Sequence, residues 1–353
     1  MRSSGESPAR DAVLTETPGI QYLVTGPHGI VHQYAAGWAD LGSRSPMTVA
    51  TTMMGYSMSK TITAAAVMRL VQDGTIALDG PITEYVGSLP YDPRITIRQL
   101  LSHTSGLPNP IPLRWVHSAT SHQHFDERAA LNSVIAKHPR QSFRPGRRFS
   151  YSNIGYWLLG RMVESVTQRP FTSFVTDHVL QPIGASPDEL GYAVADPARH
   201  ATGYLERYSV MNLAKRFLIA PEFVGAYAGR WLEIKSHYLN GPAFGGLVGT
   251  ARGFGAFLRD QLSSRSAILD DATRAMLCEP QRTMNGALVP MTLGWHVGDR
   301  EGRRFFYKEG GGGGFHCLMR LYPNDRIGSV VMTNATRFGV DAYLDTADRR
   351  FLA

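Results

Sequence analysis

RRFFYKEG at 303–310, FHCLMRLYP at 315–323 and IGSVVMTNA at 327–335 follow one another with only short interruptions. Each run is short and rich in aromatic or β-branched residues, and each is bounded by glycine, proline, asparagine or aspartate. Such runs read as successive strands joined by turns. LGWHVGD at 293–299 precedes them as a further strand, and a final helix follows at about 338–351. The other end of the chain matches this character. GIQYLVTG at 19–26 and GIVHQYAAGWA at 29–39 read as a hairpin around GPHG. Between the two ends, helical patterns and proline-containing loops dominate. YSNIGYWLLGRMVESV at 151–166 is one such helix, and TARGFGAFLRDQL at 250–262 is another, with Thr250 as its N-cap. Strands at both ends with helices between predict an α+β fold: one antiparallel sheet flanked by helices and built from both termini, with an all-helical lobe inserted. The predicted division is a sheet lobe from 1–79 and 290–353, a mainly helical lobe from 80–289, and a cleft between them.

The bulk numbers suit a soluble globular protein. The chain has 353 residues, of which 43% are hydrophobic and 18% charged. No stretch approaches the roughly 20 apolar residues that span a bilayer. The N-terminal MRSSGESPARDAVLTE lacks an apolar core and carries acids among its arginines, so the expectation is a cytoplasmic protein without a signal peptide. Formal charge is +7, but the arginines are scattered among acids and no basic stripe is interleaved with aromatics. Nucleic acid is therefore not an expected partner. The RPGRR run with Arg144, Arg147 and Arg148 reads as a solvated face. Cys278 and Cys317 read as two free, buried thiols.

Lysine is scarce: only Lys60, Lys137, Lys215, Lys235 and Lys308 occur. One of them stands three residues after Ser57 in GYSMSK, at the start of the helical pattern SKTITAAAVMRLVQDG. Ile62, Ala65, Ala66, Val67 and Leu70 form the apolar face of that helix, and Asp73-Gly74 marks its end. A serine hydroxyl is a weak nucleophile until a base takes its proton. Lysine serves as that base when desolvation or positive neighbours lower its pKa. Positions i and i+3 share a helix face, so Ser57 and Lys60 are expected side by side. The helix start adds N–H groups and partial positive charge where an oxyanion would form.

Three further stretches carry chemistry. FRPGRRFSYSNIGYWLLG holds Tyr151 and Asn153. A phenol beside a lysine can relay protons, and an asparagine can hold a substrate amide or carbonyl; the alternative is a turn and helix cap. YKEGGGGGFHC places Lys308 before Gly310 to Gly314, where the backbone can approach a ligand closely; the alternative is a flexible hairpin at a sheet edge. TIRQLLSHTSGLP contains His103, which reads as a structural turn after a helix.

As a set these stretches resemble the serine β-lactamase and penicillin-binding-protein superfamily, in the class C β-lactamase-like branch that includes the family VIII carboxylesterases. The resemblance runs from TPGIQYLV to VVMTNAT. It rests on Ser57-x-x-Lys60, LLSHTSGLP, Tyr151-Ser152-Asn153 after PG, Lys308-Glu309-Gly310 before GF, and GPAFGGLVGTARGF. It implies that Ser57 is the acylated nucleophile, Lys60 its base, and Tyr151 the group that takes and returns the proton. Asn153 would line the substrate site, and Lys308 would hold positive potential near Tyr151 or the substrate. Gly311 would add a second oxyanion N–H beside that of Ser57. It implies no metal and no cofactor. The family usually has threonine or serine, whose hydroxyl helps bind a substrate carboxylate, where this chain has Glu309. That carboxylate is expected to pair with Lys308 and repel anionic substrates, or else to turn away toward Arg303 or Arg304.

Two other features invite a different reading. His117, His122, His124 and Asp126 lie together in VHSATSHQHFDE, a pattern that can bind zinc, but the resemblance needs no metal. Tyr204, Tyr208, Phe217, Phe223, Tyr227, Trp231, Tyr238 and Phe244 read as core of the helical lobe, or in part as an apolar acyl pocket over the cleft. The functional expectation is a serine hydrolase acting on small acyl esters, its partner a small-molecule ester or amide. The alternatives are a β-lactamase, DD-peptidase or D-aminopeptidase, an acyltransferase, and a catalytically silent binding protein.

Overall fold

A computed structural model describes residues 14–110, 114–213 and 219–353. Phe217 and the first residues of the chain lie outside them. A seven-stranded antiparallel sheet is assembled from both chain ends: β1 (Gly19–Gly26), β2 (Gly29–Asp40), β3 (Ser45–Pro46), β4 (His296–Arg300), β5 (Arg303–Gly311), β6 (His316–Tyr322) and β7 (Ile327–Thr333). Their order is β4-β5-β6-β7-β1-β2-β3, so the two ends of the chain meet at β7 and β1. There Tyr22 stands opposite Val331 on one side and Tyr34 on the other.

Strand alternation sorts the side chains between two faces. Leu23, Met319, Val330 and Met332 join the large core, while Tyr22, Val24, Leu318 and Val331 join a smaller cluster with Val340 and Leu344. The second group is covered by α4 (Val340–Ala347), the predicted terminal helix. The first is covered by α3 (Ala251–Leu262), which packs on β1 and β7. Thr250 caps α3 as expected, its side chain accepting from the Gly253 N–H at 3.1 Å.

α1 (Ser59–Gln72) is buried on almost every side from Ser59 to Met68. Its run of alanines lets neighbours come close, and Asp73 and left-handed Gly74 end it where the sequence predicts. α2 (Asn153–Thr167) packs beside α1 and is capped by Ser152, whose side chain accepts from the Gly155 N–H at 3.2 Å. The middle of the chain is not all helix. Gly203–Glu206, Val224–Ala228 and Trp231–Ile234 form a three-stranded sheet, because Trp231–Ile234 alternates half-buried and buried positions with a period of two. No helix among the described residues is long and apolar enough to cross a membrane.

Candidate active site

Ser57 does not sit in α1 itself. It is the middle residue of a tight 3-10 turn, Tyr56–Met58, that runs straight into α1. Tyr56 holds a left-handed φ of 42°, a costly conformation for a bulky residue. Burial of its ring, and donation from its hydroxyl to the Gly313 carbonyl at 2.8 Å, hold it there. The i to i+3 relation survives: Lys60 Nζ lies 2.9 Å from Ser57 Oγ. The Tyr151 hydroxyl reaches the same oxygen at 2.9 Å.

Lys60 is fully buried, and its Nζ also donates to the Phe244 carbonyl at 2.6 Å. Burial, and then the nearby charge of Lys308, push its pKa well below the usual lysine range. A neutral amine so placed keeps one lone pair, which can accept the serine proton. Lys308 is buried on β5, and its pKa is pushed down to about 7 by burial. Both lysine nitrogens face the Tyr151 ring, Lys60 at 5.0 Å and Lys308 at 5.1 Å from its centroid. Burial raises the Tyr151 pKa above the usual phenol value, Glu309 adds to the rise, and the Ser57 hydrogen bond opposes it.

Asn153 opens α2, its N–H donating to Asn109 Oδ1 at 3.0 Å and its side chain lining the cavity beside Ser57. The cap is Ser152, not Asn153. Gly310 allows β5 to pass the serine turn. A Cβ there would stand 2.2 Å from the Gly55 carbonyl oxygen and 2.8 Å from Cys317 Sγ. Gly311 lines the cavity with Ser57.

Glu309 pairs with none of the three residues the sequence offered. Adjacent strand residues point to opposite faces, so Lys308 is buried while Glu309 is half exposed. Its Oε1 instead lies 2.6 Å from His316 Nε2 on β6. His103 does occupy a turn after the short helix Ile97–Leu101, with a left-handed φ of 56°. Its Nδ1 accepts from the Ser152 N–H at 3.2 Å, and its ring packs 4.2 Å from that of Tyr151. Burial and the two lysines keep its pKa well below the usual imidazole range.

The sequence reading missed several groups. His296, the first residue of β4, lies parallel to the Tyr151 ring with centroids 6.3 Å apart, its pKa pushed down to about 3 by burial and by Lys308 and Lys60. The Phe244 carbonyl and the His316 ring were also missed. LGWHVGD marks His296 only as part of a further strand, and a backbone carbonyl leaves no trace in a sequence.

The serine opens into a cavity of about 410 Å3 with a mostly apolar wall of Val116, Ile219, Phe223, Ile234, Leu239 and Phe244. So Phe223 and Phe244 line it, whereas Tyr204 is core elsewhere and Tyr208 and Tyr227 are exposed. The histidine cluster is kept only in part: His117 bonds to His122 and Asn240, while Asp126 caps a helix by accepting from the Ala129 N–H. Among the described residues no group of three or more His, Cys, Asp or Glu is placed to hold a metal. Cys278 is half buried and Cys317 buried, both free. Arg144, Arg147 and Arg148 are exposed.

Comparison with known proteins bears on the fold and the family. Penicillin-binding protein 4* of Bacillus subtilis is 24% identical over 312 residues, covering 86% of this chain and 65% of that protein. A D-aminopeptidase of Cereibacter sphaeroides is 30% identical over 207 residues, covering 55% of this chain and 39% of that one. The chain thus spans less than two thirds of the length of these relatives. In fold, it superposes on the D-amino acid amidase from Ochrobactrum anthropi SV3 with a TM-score of 0.77 at 21% identity, over 97% of this chain and 95% of that one. The Beta-lactamase family model matches residues 11–353, nearly the full length, and the chain belongs to that family.

Proposed function

We propose that this chain is a serine hydrolase that works through an acyl-enzyme on Ser57, and that its preferred substrates are small esters with an apolar acyl group. One observation carries the reading: Ser57 Oγ stands 2.9 Å from both a desolvated amine and a phenol. In the first half-reaction Ser57 Oγ attacks the ester carbonyl carbon, and its proton passes to the Lys60 lone pair. The carbonyl electrons move onto oxygen, where the N–H groups of Ser57 and Gly311 stabilise the charge. Collapse breaks the bond to the alcohol, which leaves with a proton from Tyr151, and Lys60 returns a proton to Tyr151. In the second half, water gives its proton to the same pair and attacks the acyl carbon. Ser57 Oγ then departs reprotonated. Asn153 borders the substrate, and Lys308 sets the potential at Tyr151. The apolar wall supports an uncharged acyl group.

A second reading is hydrolysis of amides of amine-bearing substrates, which the likeness to a protein named D-aminopeptidase and to a D-amino acid amidase favours. One panel separates them: p-nitrophenyl esters of several chain lengths, nitrocefin and D-amino acid anilides, with the Ser57→Ala variant as blank. Fastest Ser57-dependent turnover of butyrate-sized esters supports the first reading. Fastest turnover of the anilides replaces it with the second.

A further inference from the structure

The His316 ring lies across the wall of the Ser57 cavity, and both of its nitrogens are committed. Nδ1 lies 2.7 Å from the Phe338 carbonyl, which has no proton to give, so Nδ1 carries a hydrogen. Nε2 lies 2.6 Å from Glu309 Oε1, a separation that holds one proton between the two atoms. That proton can be counted on the ring or on the carboxyl. In either case the pair is net neutral, and the ring has no N–H left to offer. His316, not Glu309, lines the cavity. The ring lies against Gly311: a Cβ there would stand 3.3 Å from its Cδ2 and 3.7 Å from its Nε2. The groups that face the ring are Glu309 from β5, the Phe338 carbonyl from the loop before α4, and the Gly311 backbone.

From this we infer that Glu309 and His316 together are a specificity device: Glu309 locks away the one N–H that His316 would otherwise present to a substrate carboxylate, so the site selects neutral substrates. The inference rests on the serine hydrolase reading. Simple repulsion by Glu309, the expectation from sequence, is the weaker account, because that side chain is directed to His316 and is half exposed to water. In the family pattern the residue in this place supplies a hydroxyl to a carboxylate. Here the donor exists on the neighbouring strand and is occupied.

The test compares the parent, Glu309→Ala, and the double variant Glu309→Ala/His316→Gln, with nitrocefin as the anionic substrate and p-nitrophenyl butyrate as the neutral one. In Glu309→Ala the ring's Nε2 is no longer tied to a carboxylate, so acidifying the solution gives it an N–H to offer a substrate carboxylate. The ratio of kcat/KM for nitrocefin over the butyrate ester then rises about tenfold near pH 5.5, corresponding to about 1.4 kcal/mol. The gain fades near pH 8 and is absent from the double variant. An unchanged ratio at both pH values overturns the inference, and so does an equal rise in the double variant, which would leave charge repulsion alone. If the parent shows no Ser57-dependent ester turnover, the hydrolase reading fails instead. The lock itself is then read without turnover, from the nitrogen-15 resonances of the histidine rings. Benzoate at low pH shifts the His316 Nε2 resonance in Glu309→Ala and not in the parent; an equal shift in both overturns the lock.

Discussion

Lys60 can take a proton from Ser57 only while its amine is neutral, and burial, followed by the charge of Lys308, pushes its pKa down toward that form. Removing the amine or the phenol should therefore stop the same relay. Lys60→Ala and Tyr151→Phe should each lower kcat by at least about 100-fold, the scale of losing general acid–base help. The double variant should be little worse than the poorer single, because residues acting as a unit do not add. Steady-state kinetics on p-nitrophenyl butyrate reads this. Lys308 bears on stability. Its pKa is about 7 in the folded chain, against 10.5 for a free lysine side chain, so between these pH values the unfolded chain binds more protons. Stability then rises with pH across that window, by about 1.4 kcal/mol per unit for a group fully in transition. Lys308→Met should be more stable than the parent at pH 7, and urea denaturation should show the gap closing as pH approaches 10. A gap that stays constant would mean that the lysine is charged in the folded state.

The serine turn and β5 are locked together by the absence of side chains at Gly310. Gly310→Ala would drive a methyl into the Gly55 carbonyl, which belongs to the backbone and cannot swing aside. We expect a stability loss of about 2–4 kcal/mol, in the range of overpacked core positions, together with loss of activity because Gly311 moves with the strand. Thermal melting and ester kinetics check both. Much of this element-scale architecture is readable from local sequence. The hairpin at 19–39, the strand runs after 293, the Thr250 cap and the Asp73-Gly74 stop are each governed by neighbours a few residues away. Ser57 and Lys60 were readable for the same reason. What was not readable depends on register between distant strands. Pairing of β5 with β6 sets Gly311 against His316 and so brings that ring to Glu309. The place of His296 beside Tyr151 depends likewise on β4 meeting β5. The small sheet within 203–234 was read as helical core because its aromatic residues suit either element.

The molecule closes by joining its two ends, and one buried carboxyl marks the seam. Asp348 accepts hydrogen bonds from Tyr22 on β1 at 2.8 Å, Ser329 on β7 at 2.7 Å and Tyr322 on β6 at 2.9 Å. Asp348→Ala would leave the Tyr22 and Ser329 hydroxyls without a partner, while Tyr322 keeps only the hydrogen bond it accepts from Arg320 at 3.2 Å, and each buried unpaired group costs about 1–3 kcal/mol. We expect a loss of at least about 2 kcal/mol in urea denaturation with kcat per folded molecule unchanged, since the cluster lies on the sheet face away from α1. The central claim for the whole molecule is that it carries one activated serine, and intact-mass analysis after treatment with a fluorophosphonate probe tests it most directly. The account predicts a single adduct, mapped by peptide sequencing to Ser57 and absent from Ser57→Ala. An adduct on Ser59, or no adduct on a folded chain, would contradict it.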